Sequence, residues 1–161
     1  MSRGLAALRP GDGVLVDGPM GFFTLDDWSD PGELARPRLL VASGVGIAGF
    51  RSMVASHPGL DYLLVHGVRC ATELYGRPDF AADRHLACLS RETRAGTFAG
   101  RIGAWLDTGQ ADSTLAKTWG ADWACRAECW LAGSSEMIHD VYDQVRSRGV
   151  SPAQIRTEVF F

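Results

Sequence analysis

The chain has 161 residues, of which 46% are hydrophobic and 22% are charged, and its formal net charge is −3. This length and composition predict one soluble globular domain with a substantial core. The weakly acidic balance excludes the broad basic surface of a nucleic-acid-binding protein, and no apolar run is long enough to cross a membrane. The N-terminus also lacks the apolar core of a signal peptide, so we expect a cytoplasmic protein without nucleic-acid or membrane partners.

The most informative stretch combines a strand, a glycine turn and a helix. The apolar run at residues 39–42 predicts a buried strand, and the apolar period of residues 47–54 predicts a helix. Three glycines separate them, in the spacing Gly44-x-Gly46-x-x-Gly49. This order is typical of a dinucleotide site, because a pyrophosphate can approach the N–H groups of the first helical turn. A turn that merely connects the strand to the helix is the alternative.

Strands and helices alternate through the rest of the chain. Further strands are predicted at residues 61–66, 85–89, 129–132 and 155–160. Helices are predicted at residues 71–75, 102–107 and 136–148. Residues 108–126 show no clear period, and two short strands, at 13–16 and 22–25, precede the glycine turn. The alternation predicts an α/β fold with a Rossmann-like parallel sheet and helices on both faces.

In such a sheet, ligands bind at the carboxyl ends of the strands. The segments that directly follow predicted strands are residues 43–46, 67–69, 90–92 and 133–135. Two of these segments hold an arginine, Arg69 or Arg91, and Arg101 follows a short loop later. An NAD site has an acidic residue for the ribose at the end of its second strand, where this chain has Arg69.

A guanidinium group binds a phosphate in a bidentate manner. Three arginines near one ribose therefore predict a site for the 2′-phosphate of NADP. For any one of these arginines taken alone, a solvated surface charge is the better explanation, and it is their shared location at strand ends that favours the phosphate.

The four cysteines show no metal-binding pattern. They are Cys70, Cys88, Cys125 and Cys129. None forms a Cys-x-x-Cys pair, and no matching pair of ligands lies elsewhere at the right spacing. We expect buried, reduced thiols and no metal ion.

Eight short motifs follow one another along nearly the whole chain. They are Pro10-Gly-Asp12, Gly18-Pro-Met-Gly21-Phe22, Ser43-Gly-Val-Gly-Ile-Ala48, His66-Gly-Val-Arg69, Ser90-Arg-Glu92, Gly100-Arg101-Ile102, residues 133–137 and Glu158-Val-Phe-Phe161. In this order they resemble the ferredoxin–NADP reductase family, most closely the bacterial flavodoxin/ferredoxin–NADP reductases. Each motif is a weak signal alone, whereas the ordered set is specific.

The resemblance implies a flavin-dependent oxidoreductase with NADP(H) and FAD as cofactors. Such an enzyme transfers a hydride between NADPH and the flavin and passes single electrons to its partner, ferredoxin or flavodoxin. Residues 44–48 would form the pyrophosphate loop, although Val45 stands where the family usually has threonine. The pocket for the 2′-phosphate would consist of Val68, Arg69, Ser90, Arg91 and Arg101.

The resemblance also assigns residues to the nicotinamide and the flavin. Gly133 and Met137 would border the nicotinamide, although Ala132 replaces the cysteine of the family pattern. Phe160 would stack on the flavin, with Phe161 following it, and Ser2 would belong to a turn at the flavin pyrophosphate. The cofactor-binding residues implied are Ser2, Gly44, Val45, Gly46, Ile47, Ala48, Val68, Arg69, Ser90, Arg91, Arg101, Gly133, Met137, Phe160 and Phe161. The implied catalytic residues are Ser43 and Glu158.

The flavin-binding barrel of the family is represented only at its end. The barrel motif Arg-x-Tyr-Ser does not occur in the sequence. Residues 1–30 resemble the last strands of the barrel, residues 31–37 form a linker, and residues 38–161 form the NAD(P)-binding domain. We therefore expect Met1 to be an internal residue of a truncated reductase that holds FAD only when intact. A naturally short protein is the alternative.

Three further functions are compatible with these residues. The chain could be the reductase component of an oxygenase system, with an oxygenase component as its partner. It could be a non-catalytic module that binds NADP(H), or a structural or regulatory protein whose arginines are grouped by coincidence. Retention of FAD separates a reductase from the non-catalytic module, and a preference for NADP over NAD excludes the structural or regulatory protein.

Overall fold

The computed structural model describes residues 2–18, 21–25 and 29–160, with side chains from residue 4 onward. Its strands are β1 (Arg38–Ser43), β2 (Tyr62–Val68), β3 (His85–Leu89), β4 (Phe98–Ala99), β5 (Glu128–Gly133) and β6 (Ile155–Val159). They pair in parallel as one sheet in the order β4-β3-β2-β1-β5-β6. The predicted Rossmann-like parallel sheet is thereby confirmed.

The helices of the described part of the chain lie before the sheet or connect some of its strands. They are α1 (Ser2–Ala6), α2 (Pro31–Leu34), α3 (Ile47–Ser56), α4 (Ile102–Leu106), α5 (Gly109–Trp119), α6 (Trp123–Arg126) and α7 (Ser135–Ser147). The short helix predicted at residues 71–75 is a 3₁₀ turn, Ala71–Glu73. Within the described part of the chain, no helix combines the length and the apolar character needed to cross a membrane.

Both faces of the sheet are covered, as predicted. Alternate strand residues point to opposite faces, so a central parallel strand is apolar throughout. On one face Leu39, Val41 and Leu131 pack among side chains of α4, α5 and α7. On the other face Leu40 and Trp130 pack with residues of α3. The sheet is therefore held rigidly between two helical layers, with its strand ends at the surface.

The strands predicted at residues 13–16 and 22–25 are wrong. The described residues there form no strand, and residues 4–18 are exposed. Phe22 is 97% exposed, whereas the ring of Phe23 lies 5.0 Å from Trp130 and 5.8 Å from Phe50, between ring centroids. A two-stranded ribbon is marginal without further strands to cover it. The segment instead packs through Phe23 and Leu25 onto the α3 face.

A buried ion network lies at the amino ends of the strands. Arg38 begins β1, is fully buried, and pairs with Glu33 of α2 and with Glu128, which begins β5. The partly exposed Arg36 contacts the same two carboxylates, at 3.2 Å and 2.9 Å. The indole N–H of Trp130 donates to Glu128 at 3.0 Å. This network attaches α2, within the segment predicted as a linker, to the sheet; the domain boundaries themselves stay a prediction.

Candidate nucleotide site

The strand order reverses at β1, and this places a crevice at one edge of the sheet. The chain proceeds outward from β1 through β2 and β3 to β4, and then returns to place β5 on the other side of β1. Ligands of open α/β sheets bind outside the carboxyl ends of the strands at such a point. A cleft of about 580 Å³ opens here. Among the residues that line it are Ser43, Gly44, Val68, Arg69, Ser90, Arg91, Arg101 and Met137.

Other predicted site residues border this cleft or lie behind it. Gly46 and Ile47 are buried in the turn into α3, whereas Ala48 is exposed and Val45 is 63% exposed. Gly133 is buried at the end of β5. The structure thus groups the predicted pyrophosphate, ribose and nicotinamide segments around one cleft. The individual binding roles stay predictions.

The predicted flavin-facing residues are placed apart from this cleft. Glu158 lines a second cleft, of about 520 Å³, together with Phe23 and residues of α3. Phe160 is half-buried against the core of the α3 face, and its N–H donates to the carbonyl of Gly133 at 2.7 Å. The two candidate catalytic residues, Ser43 and Glu158, therefore line different clefts. Phe161 and the side chain of Ser2 lie outside the described part of the chain.

Main-chain atoms approach each other closely where β1 meets β5. A Cβ atom added to Gly46 would lie 2.1 Å from the carbonyl oxygen of Ala132. A Cβ atom added to Gly133 would lie 2.1 Å from Ser43 Oγ, and the φ angle of Gly133, +146°, is one that side-chain-bearing residues rarely adopt. The Oγ atom of Ser43 accepts a hydrogen bond from the N–H of Ser134 at 3.0 Å. This hydrogen bond connects Ser43, on the predicted pyrophosphate side of the cleft, to the residue that precedes α7.

The ends of β2 and β3 hold the predicted phosphate pocket. The N–H of Ser90 donates to the carbonyl of Val68 at 3.0 Å, and the N–H of Arg91 donates to the carbonyl of Arg69 at 2.9 Å. Backbone pairing therefore continues beyond the strands and sets the two arginines side by side. Arg101, directly before α4, lines the same cleft with a side chain that is 73% exposed. These cations can reach an anionic group in the cleft from several sides.

Two of these arginines form ion pairs with carboxylates. Arg69 pairs with Glu73, and Arg101 Nη1 lies 2.5 Å from Glu136 Oε1. Within residues 2–18, 21–25 and 29–160, no carboxylate lies within ion-pair distance of Arg91. Hydrogen bonds from Arg69, with its positive charge and that of Arg91, hold the pKa of Glu73 below its usual range. Glu73 was not predicted as a site residue, because it lies five residues after the end of β2. The 3₁₀ turn folds the chain back and places Glu73 in the cleft lining.

Two buried histidines lie behind the glycine turn and were also missed. The Nε2 atom of His66, in β2, contacts the carbonyl oxygen of Gly44 at 3.4 Å. Its ring stacks on His85 of β3, with centroids 5.9 Å apart. Burial lowers the pKa of each ring from 6.5 to about 4. The signal in the sequence was a histidine at the end of an otherwise apolar strand, directly before Gly67.

The histidine pair makes stability depend on pH. A folded-state pKa of about 4 lies below the unfolded value of 6.5, so the unfolded chain binds more protons between these values. The stabilisation is complete above pH 6.5 and decreases as the pH falls toward 4, at up to about 1.4 kcal/mol per pH unit for each ring. We expect His85→Phe to remove roughly 1–2 kcal/mol of the loss between pH 7 and pH 5, measured by urea unfolding.

His85 suits this test because neither ring nitrogen has a hydrogen-bond partner among the described residues. Its ring also packs on Phe80, with centroids 5.4 Å apart, so phenylalanine keeps the contact. His57→Phe, at a half-buried site at the end of α3, is the control. Equal slopes of unfolding free energy against pH in wild type and His85→Phe would contradict the assignment.

The cysteines divide by burial. Cys88 and Cys129 are buried, as predicted, and burial raises the pKa of each thiol to about 12. Cys70 is half-buried and Cys125 is exposed, so the prediction of buried thiols is wrong for Cys125. All four are free thiols. In the described ranges, no group of three or more potential ligands could hold a metal ion.

Comparisons with known proteins agree with this geometry. No family model matches the chain. The chain is 31% identical to the flavodoxin/ferredoxin–NADP reductase of Shigella flexneri, over 87% of the chain and 59% of that protein. It is 33% identical to the reductase subunit of an aromatic O-demethylase from an Amycolatopsis species, over 98% of the chain and 46% of that protein.

A solved structure of a reductase also has a similar fold. The crystal structure of an Amycolatopsis cytochrome P450 reductase superimposes with a TM-score of 0.65 and 27% identity, over 89% of the chain and 42% of that protein. The chain thus spans about half the length of the curated relatives that it matches. In its fold, its motifs and these matches, the chain is similar to part of the ferredoxin/flavodoxin–NADP reductases and of the reductase subunits of oxygenase systems.

Proposed function

We propose that this chain is the NADP(H)-binding part of a flavin-dependent ferredoxin/flavodoxin–NADP reductase. The observation that carries the proposal is the cleft at the strand reversal, where Arg69, Ser90 and Arg91 stand on adjacent strand ends. The glycine turn into α3 borders the same cleft and offers main-chain N–H groups to a pyrophosphate. An anionic dinucleotide with a phosphorylated ribose fits this distribution of donors and charges.

Different segments of the cleft would bind different parts of the dinucleotide. The turn at residues 44–48 would bind the pyrophosphate through its backbone, and Val68, Ser90 and the three arginines would surround the 2′-phosphate. Gly133 and Met137 would border the nicotinamide. Ser43 is better described as a positioning residue, because its hydroxyl accepts the Ser134 N–H and fixes the start of α7. That contact holds the nicotinamide side of the cleft in place.

The described residues do not account for holding a flavin. A bound flavin would supply hydride exchange with the nicotinamide and single-electron transfer to an acceptor. Phe160 and Glu158 are the described residues that the family resemblance implies near it. The described residues between 4 and 25 form no strands that could enclose a flavin. What this chain's own residues supply is the binding and orientation of the dinucleotide.

The proposal is tested by binding and by absorbance. Calorimetry of the purified chain should show NADPH binding more tightly than NADH. An absorbance spectrum recorded after incubation with FAD and desalting should be flat in the visible region. Absence of binding to both dinucleotides would refute the proposal. A retained flavin band that bleaches on addition of NADPH under argon would instead make the chain a working reductase by itself.

A second candidate function is the reductase component of an oxygenase system. The match with an aromatic O-demethylase reductase subunit, which covers 98% of the chain, favours it. Both candidates use the same dinucleotide site in the cytoplasm and differ in the electron acceptor. Calorimetric titration of the purified chain with flavodoxin, ferredoxin or an oxygenase component would distinguish them by the partner that binds. Binding of NADPH without any retained flavin would leave the non-catalytic module as the function of this chain alone.

The role of Arg91 gives a specific prediction. A guanidinium bound to a phosphate forms charge-assisted hydrogen bonds, each contributing about 1.5–3 kcal/mol. We therefore expect Arg91→Ala to weaken NADPH binding roughly tenfold or more, and to leave NADH binding unchanged, as measured by calorimetry. Arg94→Ala, at an exposed arginine outside the cleft lining, is the control. Equal weakening of NADPH and NADH would contradict a 2′-phosphate role.

A further inference from the structure

A carboxylate lines the cleft beside the arginines that follow β2 and β3. Glu73 ends the 3₁₀ turn Ala71–Glu73, five residues after β2, and lines the cleft together with Arg69 and Arg91. Its side chain is only 22% exposed. An acidic group at this point of a Rossmann-like sheet is suited to accept a hydrogen bond from the 2′-hydroxyl of an unphosphorylated ribose.

The turn that carries Glu73 is attached at both strand ends. The N–H of Arg69 donates to Glu73 Oε2 at 3.0 Å. The N–H of Ala71 donates to Glu92 Oε2, beyond β3, at 2.7 Å. The carboxylate of Glu73 is therefore held in the cleft by main-chain contacts as well as by the guanidinium of Arg69. Its position does not depend on a flexible side chain alone.

Glu73 changes the charge that a ligand meets. Two guanidinium groups, Arg69 and Arg91, would present two positive charges to a phosphate. The carboxylate of Glu73 cancels one of them and occupies donors of Arg69. A 2′-phosphate must then either displace this carboxylate or lie beside it, and like charges at such distances repel. A 2′-hydroxyl has no such conflict.

We infer that Glu73 is a specificity-determining residue, which opposes the 2′-phosphate of NADP(H) and accepts the 2′-hydroxyl of NAD(H). The inference rests on the proposed dinucleotide function of the cleft. It means that the site carries elements for both cofactors: Arg91, which makes no ion pair among the described residues, favours the phosphate, and Glu73 limits that preference.

Glu136 also pairs with a cleft arginine, but it is less suited to this role. Its side chain is 77% exposed, and that of its partner Arg101 is 73% exposed, so water screens the pair. It belongs to α7, whereas Glu73 follows β2, at whose end a Rossmann-like sheet places the ribose.

The test compares two dinucleotides in one charge-neutral variant. Glu73→Gln keeps the shape of the side chain and removes its charge. We expect calorimetry to show NADPH binding about tenfold tighter than in wild type, and NADH binding unchanged or slightly weaker. The gain for NADPH should shrink in 0.5 M NaCl, because salt screens the removed repulsion. Asp79→Asn, which neutralises an exposed carboxylate 2.6 Å from Arg51 outside the cleft, is the matched control.

The outcomes separate this inference from the proposed function. If wild type binds neither dinucleotide, the proposed function itself fails. If wild type binds, but the ratio of NADPH to NADH affinity changes equally in Glu73→Gln and Asp79→Asn, the inference is overturned and the proposed function stands. Glu73→Ser, which also lacks the charge, must shift the ratio in the same direction as Glu73→Gln. An opposite shift would show that the shape of the side chain, and not its charge, determines the ratio.

Discussion

Replacing Gly46 with alanine is expected to lower the free energy of unfolding by roughly 3 kcal/mol and to abolish dinucleotide binding. The added Cβ would lie 2.1 Å from the carbonyl oxygen of Ala132 and 2.5 Å from its carbonyl carbon. These are main-chain atoms of β5, which pairs with β1 on one side and β6 on the other. They cannot move aside as the end of a flexible side chain can. Urea unfolding and calorimetry with NADPH measure the two effects.

Gly49→Ala provides the matched control from the same glycine motif. No atom lies within 4 Å of a Cβ added to Gly49, which is in the third position of α3. Alanine in a helix is more favourable than glycine by roughly 0.5–1 kcal/mol, so this variant should be slightly stabilised and should still bind NADPH. If both variants lost stability equally, close packing at Gly46 would not explain why a glycine stands there.

Replacing Arg38 with methionine should destabilise the fold by about 3–5 kcal/mol. The substitution keeps most of the volume but removes the buried cation shared by Glu33 and Glu128, which are 8% and 6% exposed, and leaves them only the partly exposed Arg36. The loss of a buried partner is far more costly than a broken surface pair. Because the network lies at the amino ends of the strands, NADPH affinity of the remaining folded protein should not change. Urea unfolding, followed by calorimetry on the folded variant, tests both statements.

Arg51→Met is the comparison for Arg38→Met. Arg51 also pairs with a carboxylate, that of Asp79 at 2.6 Å, but the two side chains are 60% and 39% exposed. A solvent-exposed ion pair contributes at most about 1 kcal/mol. Similar losses in the two variants would mean that burial does not set the contribution of Arg38. In that case the buried ion network could no longer be regarded as what attaches α2 to the sheet.

The strands of the central sheet were the most predictable part of the fold. Residues 85–89 form β3 with the bounds that the pattern predicts, because a strand buried on both faces is apolar throughout. The helices α5 and α6 were missed, although Ala111, Leu115 and Trp119 are buried on one face at a spacing of four. This four-residue spacing is hard to recognise in the sequence, because many polar residues lie between the apolar ones and the helix ends at Gly120.

The N-terminal strands failed for a different physical reason. Alternation of apolar and polar residues in 13–16 predicts a strand only when another strand is present to pair with it. Residues 13–16 and 22–25 have no such pairing in the described part of the chain. The residues that do pack there, Phe23 and Leu25, contact helix α3 and the strands beneath it.

The candidate site was partly predictable because all strands are parallel. Their carboxyl ends then meet at one edge, so Ser43, Arg69 and Arg91 could be grouped from the sequence alone. Glu73 and His66 could not be grouped in this way. The first depends on the geometry of a 3₁₀ turn, and the second on which face of β2 lies behind the glycine turn.

The main-chain contact between the Gly46 turn and β5 has a consequence for sequence divergence. Gly46 meets the backbone of Ala132, and Gly133 meets Ser43, so the requirement at this junction is for small residues and not for particular chemical groups. Most side chains around it can then be exchanged during evolution while the junction keeps its shape. We therefore expect the spacing of these small residues to vary less among distant relatives than the charged residues that line the cleft.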